Sequence, residues 1–488
     1  MRILLINPPY PKGSVGFEHL MTLEPLALEY LGAILKKEGH EIKILDAVLD
    51  KDIEKALRDF DPHVVSCTCF YVHMYVIRDL FKRVKRYNQE ITTIVAGSHA
   101  VLFPEEFYIK DVDIVNVGED LLVAPRLMEG IERGCLEGIE GIHYRSAGEW
   151  KVGPPATRCI SIDELPFPDR SLTKEYHKQY YWYFEEGVAS VWGSVGCPFK
   201  CYYCTQWSKN GGKFVSREPE SLIEEILNIE QESVFIIDDN TFTDRNRAWE
   251  IVRLIKEKGI KKKFMCYCSP NLVIKNRDII SQWKECGLCK LMVGFESFRE
   301  QDLKDVNRKT SMETNKQAID ILDEIGIDTM AGFIIYPDFT EKDFKFLRKY
   351  VKDRRLYYIE YTSLTPFPGT VFYEQVKDEI IEHNPELYDM QHMLLESKLP
   401  LKKYYKEIML TYLASYMPHR AVRARLNFKL SLNPMHPIYR SFIRFLFKVK
   451  RSYKDHEVIM PELKTESRNK SEERRKELWI KKQSEQIS

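Results

Sequence analysis

The sequence predicts an α/β protein made of two successive strand–helix systems: an open, doubly wound parallel sheet over residues 1–140, then a partial (β/α)6 barrel over residues 186–372, followed by a helical C-terminal region. Three observations predict this. Short apolar runs alternate with amphipathic helical runs through the first 140 residues. The alternation stops in a stretch punctuated by Gly153-Pro-Pro155 and Leu165-Pro-Phe-Pro-Asp169, where proline limits regular structure. It then resumes for six more strand–helix pairs. At 488 residues with 44% hydrophobic content, the chain can fill two or three cores.

In chain order, Ile3-Leu-Leu-Ile6 reads as a buried strand, and Leu26 to Glu38 has helical periodicity that stops at Gly39. Strand Glu41–Leu45, helix Asp52–Phe60, strand Val64–Cys69, helix Tyr75–Tyr87 and strand Thr92–Ala96 follow, and strand Ile114–Val117 closes the series at Gly118-Glu119. Residues 141–185 read as a linker. In the second system, strands are expected at Val188–Trp192, Ser233–Ile237, Lys263–Tyr267, Lys290–Val293, Thr329–Ile335 and Tyr358–Leu364. Helices between them include Pro219–Asn228, Arg247–Glu257, Arg277–Glu285, Glu313–Ile325 and Glu341–Lys352. A helical, basic region spans 373–455, and 456–488 is a charged tail that reads as disordered or a loose helix.

Charge excludes some functions. The 73 basic and 73 acidic residues balance, so no global field points to nucleic acid. Eleven cysteines, an odd number with no signal peptide in the first residues, argue for a reducing, cytoplasmic setting. No run approaches the length of a spanning helix. Between Met417 and Ser452, however, Arg420, Arg423, Arg425, Lys429, Arg440, Arg444, Lys448, Lys450 and Arg451 interleave with apolar residues and no acid intervenes. Such a stretch is either a solvated helical face or a peripheral contact with anionic lipid.

The strongest chemical feature is Gly196-Cys-Pro-Phe-Lys-Cys-Tyr-Tyr-Cys-Thr205. Three soft thiolates, Cys197, Cys201 and Cys204, suit an iron–sulfur cluster with one open iron; a structural zinc site wants four ligands, usually in two separated pairs. The motif follows an apolar strand, at the strand end where barrel active sites lie. This spacing, with an aromatic residue, Tyr203, before the last cysteine, resembles the radical S-adenosylmethionine (SAM) superfamily. The resemblance implies a [4Fe–4S] cluster, SAM on the open iron, and an electron donor of the flavodoxin or ferredoxin type.

In the first system, open sheets bind ligands beyond the C-terminal strand ends. That edge carries Asn7-Pro-Pro9, Thr68 to Tyr71, Gly97, Ser98 and His99, and Gly118-Glu119. These residues resemble the Rossmann-like cobalamin-binding domain that precedes the barrel in one radical SAM class, which implies cobalamin as a third cofactor, with Asn7, Thr68, Gly97, Ser98, His99, Gly118 and Glu119 near it. Asp61-Pro-His-Val-Val-Ser66 superficially matches a cobalt-ligating Asp-x-His-x-x-Gly motif. It sits before the third strand instead of after the first, and Ser66 replaces the glycine, so His63 reads as a solvated turn residue and the cofactor as bound without an axial histidine.

Other residues take roles from strand ends. Asp238 and Asp239, in Asp-Asp-Asn-Thr-Phe242, are either helix-capping acids or, by resemblance, place the amino end of SAM, since a carboxylate suits an ammonium. Glu296, with Ser297, is the ribose ligand by resemblance, or else the ion-pair partner of Arg308 or Lys309. Pro337, Asp338 and Thr340 continue the match toward an adenine site. Cys266 and Cys268 alternate on one strand and face the same way, toward cavity or core; with Cys286 and Cys289 they admit an auxiliary cluster. Tyr357, Tyr358 and Tyr361 line the end of the barrel and could enclose an apolar substrate.

A cobalamin domain upstream of this barrel resembles the cobalamin-dependent radical SAM methyltransferases. The resemblance implies hydrogen abstraction from an unactivated carbon, then methyl transfer from cobalt. Glu18–Tyr30, Asp338–Phe344 and Leu364–Thr370 look closer to the hopanoid C-3 methylases, which implies a lipid or polycyclic isoprenoid substrate. Another cobalamin radical enzyme, acting on a natural product or closing a tetrapyrrole ring, would share every cofactor motif, and a cofactor-binding sensor would share most of them. A methylthiotransferase would need an N-terminal cluster, for which Cys67, Cys69, Cys135 and Cys159 lack the spacing.

Overall fold

The computed structural model describes residues 1–16, 20–156, 162–183, 185–206, 212–305, 310–416 and 437–457. They form two compact units, one containing Met1–Ser14 and Pro25–Tyr176, the other Val15–Glu24 and His177–Glu457. Arg308 and Lys309, the basic residues from Arg420 to Lys429 and the tail beyond Glu457 lie outside the described residues.

The first unit is a seven-stranded sheet. Its parallel part comprises β1 (Arg2–Asn7), β3 (Glu41–Asp46), β4 (Val64–Thr68), β5 (Thr92–Ala96) and β6 (Ile114–Asn116), in the order β3-β1-β4-β5-β6; β2 (Met21–Thr22) belongs to the second unit. These strands are nearly continuous apolar runs because both faces are covered. Leu4, Ile6, Val65, Val95 and Val115 fill one core, and their neighbours Ile3, Leu5, Val64, Ile94 and Ile114 fill the other. The order reverses between β1 and β4, which makes a crevice beyond Asn7 and Thr68 the natural ligand position. Asp52 caps the helix Ile53–Phe60 by accepting from the Lys55 N–H at 2.9 Å, and Gly39, at φ 83°, ends the first helix where expected.

Residues 141–185 depart from the expected linker. β7 (Ile142–Ser146) and β8 (Glu149–Val152) form a hairpin that extends the first sheet antiparallel to β6. Its two-residue turn, Ala147-Gly148, has φ of 51° and 86°, the left-handed pair a tight hairpin requires. Ala-Gly is a weaker turn signal than Asn-Gly, and the nearby prolines obscured it. β9 (Tyr181–Trp182) and β10 (Glu185–Glu186) pair with each other, and β9 pairs with β2, in the second unit. The division between units falls at Tyr176.

The second unit carries six parallel strands in sequence order: β11 (Val188–Val191), β14 (Ser233–Ile236), β15 (Lys263–Cys268), β16 (Leu288–Glu296), β17 (Asp328–Ile335) and β18 (Tyr358–Ser363). Between β11 and β14, β12 (Ser194–Val195) and β13 (Val215–Ser216) form a short ribbon that brackets the cysteine segment. Alternation sorts the barrel strands into two faces. Leu291, Val293, Ala331, Phe333 and Ile359 pack against the helices, whereas Phe235, Met265, Met292, Met330 and Tyr358 turn to the lumen. Ser311 and Thr340 cap the helices Met312–Ile325 and Glu341–Asp353 through their hydroxyls. The C-terminal helices Leu401–Ser415 and Pro437–Arg451 complete the unit: the Tyr412 hydroxyl donates to the Tyr361 carbonyl at 2.8 Å, and Phe445 packs edge-on against Tyr412.

A buried ion pair ties the ends of this unit together. Asp389 accepts from the Val15 N–H at 2.6 Å, from the His392 N–H at 2.9 Å and from His392 Nδ1 at 3.0 Å, and His392 Nε2 reaches Asp455 at 3.3 Å. Burial opposes the imidazolium, but Asp389 and Asp455 outweigh it and raise His392 to about 9; burial likewise opposes the Asp389 carboxylate, which His392 holds below its ordinary value of 3.8. The His392 contribution to stability is complete below its ordinary 6.5 and is lost as pH rises through about 9, and the Asp389 contribution is lost in acid. Thermal unfolding should show a stability plateau between these limits with a fall on the alkaline side that His392→Gln removes. Asp389→Asn, which strands a buried charge, should cost about 3 kcal/mol.

Candidate active site

The site is built at the C-terminal ends of the barrel strands. Beyond β11 the chain turns at Gly196, with φ 88°, into the loop carrying Cys197, Cys201 and Cys204. The Cys204 N–H donates to the Cys201 carbonyl at 3.1 Å, and Cys201 is buried. Burial pushes the Cys204 thiol up to about 12, and Cys201, Asp239 and Cys197 push the same way, so all three lie within electrostatic reach of Cys204.

What holds this loop is a buried carboxylate. Asp238 Oδ1 accepts from the N–H groups of Gly193 and Ser194 at 2.7 and 2.6 Å. Burial raises its pKa to about 6, against the pull of Arg247 and these N–H groups. The Arg247 guanidinium donates to the carbonyls of Gly193 and Arg217 at 2.8 and 2.7 Å, and Arg217 forms a fully buried ion pair with Glu225. A Cβ at position 193 would lie 2.8 Å from Asp238 Oδ2, so only glycine admits this approach.

Asp239, the next residue, is half-buried and is an electrostatic neighbour of both Cys204 and Tyr267. Asn240, which the sequence pattern did not single out, donates from Nδ2 to Cys197 Sγ at 3.4 Å. Its only signal was adjacency to the acid pair.

Glu296 ends β16 at a bulge, with φ 64°, a left-handed conformation rare outside glycine. Such strain, held by a buried surrounding, aims the side chain away from the strand's ordinary alternation. Ser297 is turned to the Asp302 carboxylate at 2.5 Å, and Arg299 links Asp302 to Asp338 through a bidentate pair of 2.9 and 2.7 Å. Thr340 is occupied as a helix cap, and the Pro337 carbonyl accepts from the Lys398 N–H. Tyr203 is half-buried, and its ring lies edge-on to Tyr202.

The cysteine and tyrosine sets divide between faces. Cys266, Cys268 and Cys286 belong to the helix-side core, whereas Cys289 packs on the lumen side and donates to the Phe264 carbonyl, so the four do not gather. Tyr358 and Tyr357 face the lumen; Tyr361 is on the helix side, bonded to Ser415 at 2.7 Å.

At the C-terminal edge of the first unit, Thr68, Ser98, Gly118 and Glu119 are half-buried on the rim. Asn7 donates to Asp46 at 2.9 Å. Gly97, at φ 103°, is filled by the Cys69 backbone, and His99 is buried against Glu106 at 2.9 Å among Tyr71, Phe103 and Phe107. His63 is exposed at the opposite end of β4, where its Nδ1 accepts from the Arg2 N–H. Two features mark the edge as a ligand site, one within the expected stretch Thr68 to Tyr71 and one, His73, beyond it. Phe70 is 62% exposed, and His73, beside Tyr10 and Phe70, has a buried Nε2 with no partner among the described residues; burial lowers its pKa to about 4, which keeps it neutral.

Comparison with known proteins agrees with both halves. Residues 193–351 match the radical SAM superfamily, and residues 15–126 match the B12 binding domain. The chain thus carries a B12 binding domain followed by a radical SAM domain, the combination of a B12-dependent radical SAM enzyme of the methylase type, with a [4Fe–4S] cluster, SAM and cobalamin as its cofactors. Among relatives, it is 27% identical over 423 residues to the hopanoid C-3 methylase of Methylococcus capsulatus, covering 84% of this chain and 80% of that protein. It is 25% identical over 411 residues to the anaerobic magnesium-protoporphyrin IX monomethyl ester cyclase of Rubrivivax gelatinosus, covering 80% and 72%. The fold matches that of the cobalamin-dependent SAM radical enzyme OxsB, with a TM-score of 0.65 at 14% identity over 98% of this chain and 84% of that one.

The donor set fits the cluster: three soft thiols on one loop, one of them hydrogen-bonded by Asn240. Cys201→Ala should abolish iron and sulfide uptake on anaerobic reconstitution while leaving cobalamin stoichiometry intact, because the thiols and the sheet edge belong to different compact units. Asp238→Ala should weaken cluster retention with all three thiols present, since it leaves two buried N–H groups unsatisfied at about 1–3 kcal/mol each. Iron, sulfide and cobalamin assays on the three proteins check both outcomes.

Proposed function

We propose that this enzyme methylates an unactivated carbon of a polycyclic isoprenoid lipid, a hopanoid at C-3 being the specific candidate. The observation that carries the reading is the lumen face of the barrel: Trp182, Phe235, Met265, Met292, Met330 and Tyr358 form an apolar, partly aromatic cluster there. A flat hydrocarbon suits such walls, and methionine adapts to its outline. The resemblance to the hopanoid methylase supports the same substrate class.

When bound, the cluster and SAM supply a 5′-deoxyadenosyl radical, and cobalamin supplies a transferable methyl group. The chain's own residues do the rest. Cys197, Cys201 and Cys204 would hold the cluster; Asp239, next to the Asp238 that braces the loop, would hold the methionyl ammonium; and Glu296 would accept from the ribose hydroxyls. Tyr203 packs over the loop, and Ser297 keeps the Glu296 turn in place through Asp302. Thr68, Ser98, Gly118 and Glu119 line the cobalamin rim, with Asn7, Gly97 and His99 shaping it from behind. The lumen walls exclude water, which would otherwise quench the radical. A flavodoxin or ferredoxin delivers the electron.

Anaerobic incubation of the reconstituted enzyme with SAM, a reductant and a desmethyl hopanoid should give 5′-deoxyadenosine and a product heavier by one methylene. A desaturated or ring-closed product would instead align the enzyme with the cyclase relatives.

The C-terminal helix Pro437–Arg451 supports access from a membrane surface. Phe445, Leu446 and Val449 are buried, while Ile443 and Phe447, one turn apart, are 53% and 57% exposed beside Arg444, Lys448 and Arg451. No helix among the described residues is long and apolar enough to cross a membrane. The enzyme should therefore sediment with anionic vesicles and not with neutral ones, and Ile443→Glu with Phe447→Glu should abolish this.

A further inference from the structure

Among the described residues, the lumen holds an acid with no ion-pair partner, Glu360, that the cofactor chemistry does not use. Glu360 lies on β18 between Ile359 and Tyr361, both on the helix side, so alternation turns it to the interior. It is 6% exposed, and its Oε2 has no hydrogen-bond partner among the described residues. No ion pair reaches it among those residues, unlike Glu185 deeper in the barrel, which Lys290 and Lys263 neutralise. A buried carboxyl without a partner costs free energy, so its persistence points to a ligand.

Its surroundings show where that ligand would sit. The register puts Gly294, Gly332 and Glu360 side by side on β16, β17 and β18. A Cβ on Gly332 would meet nothing closer than 3.6 Å, so the wall beside Glu360 is recessed. One row deeper lie Met292, Met330 and Tyr358, the apolar floor. Tyr267 is an electrostatic neighbour of both Glu360 and Asp239, and Asp239 of Cys204, so these groups run from the cysteine loop across the lumen to the last strand.

We propose that Glu360 is the polar anchor of the substrate chamber, binding a hydroxyl group on an otherwise apolar substrate and so fixing which carbon is presented to the cysteine loop. The inference rests on the reading of the lumen as the substrate site. A hydroxyl fits better than an ammonium: it needs one acceptor, whereas an ammonium carries three donors and the floor offers thioethers and ring faces. Burial alone raises Glu360 to about 7. Near neutrality both of its forms are present, and each bonds a hydroxyl, the carboxylate as acceptor and the acid as donor and acceptor.

The test uses the reconstituted holoenzyme at about pH 6, below the Glu360 value, with cyclohexanol, cyclohexane and cyclohexylammonium as probes. Infrared difference spectra should show a buried carboxylic C=O band that Glu360→Gln removes. Cyclohexanol should shift that band and cyclohexane should not. If cyclohexylammonium converts the band to carboxylate and cyclohexanol leaves it in place, the site takes cations and the proposal is overturned; no response to any probe overturns it as well. Glu360→Asp, which keeps the acid but withdraws it by a methylene, should retain the band and lose the cyclohexanol shift, and it serves if the glutamine variant does not fold. If the cyclohexanol shift is present but no triterpenoid is methylated, the anchor stands and the hopanoid reading falls.

Discussion

A single buried carboxylate, Asp238, receiving two backbone N–H groups, sets the geometry at the mouth of the barrel. Those N–H groups belong to Gly193 and Ser194, where β11 has ended and the cysteine loop begins. Their carbonyl side is held by Arg247, and Arg217 is locked by Glu225 beneath. Isolated, each of these charges would be expensive to bury; linked, they satisfy one another and leave the loop one way to leave the strand. The cysteines therefore inherit their position from a polar network that contains none of them. Gly193 is part of the same device, since any side chain there would strike the carboxylate.

This arrangement explains why adjacent acids have different parts. Asp238 and Asp239 look equivalent in the sequence, and a carboxylate at either position suits an ammonium. Burial just beyond the end of β14 separates them: Asp238 is fully buried against the start of the loop, and Asp239 is left half-buried as an electrostatic neighbour of Cys204 and Tyr267. The sequence does not distinguish the two, because the difference depends on which residue the loop's N–H groups reach.

Much of the fold was readable because period and length agree with burial. Ile3–Ile6, Val64–Cys69 and Ser233–Ile237 are apolar throughout since parallel strands are covered on both faces, and Gly39 and Gly326 end helices at positive φ. The β7–β8 hairpin escaped because its turn is Ala-Gly and proline follows it closely. At the site, the three cysteines were readable from spacing alone, as all three lie on one short loop. His73, Asn240 and Glu360 were not, because what distinguishes them is the absence or identity of a partner brought in by tertiary structure. The same holds in reverse for His99, whose place in a Gly-Ser-His edge suggested a ligand contact and whose ring is packed and bonded to Glu106.

The contrast between the two ends of the lumen bears on what the chamber selects. At the N-terminal end, Glu185, Lys290 and Lys263 neutralise one another, closing the barrel with a satisfied ion cluster that offers a ligand nothing. Above it, thioethers and rings present surface without direction, and such walls alone would let a hydrocarbon slide and rotate. A radical abstracts whichever hydrogen is nearest, so regiochemistry requires a directional contact at a fixed distance from the cysteine loop. A Cβ on Gly332, in register with Glu360, would meet nothing closer than 3.6 Å, so the wall is recessed at that row. A carboxyl set in an apolar wall rejects a substrate that lacks the matching group more strongly than apolar packing can reject one of the wrong outline, because the unmatched acid stays unpaired when water is excluded. On the proposed reading, selection of the carbon follows from where one hydrogen bond can form, with the apolar walls contributing affinity.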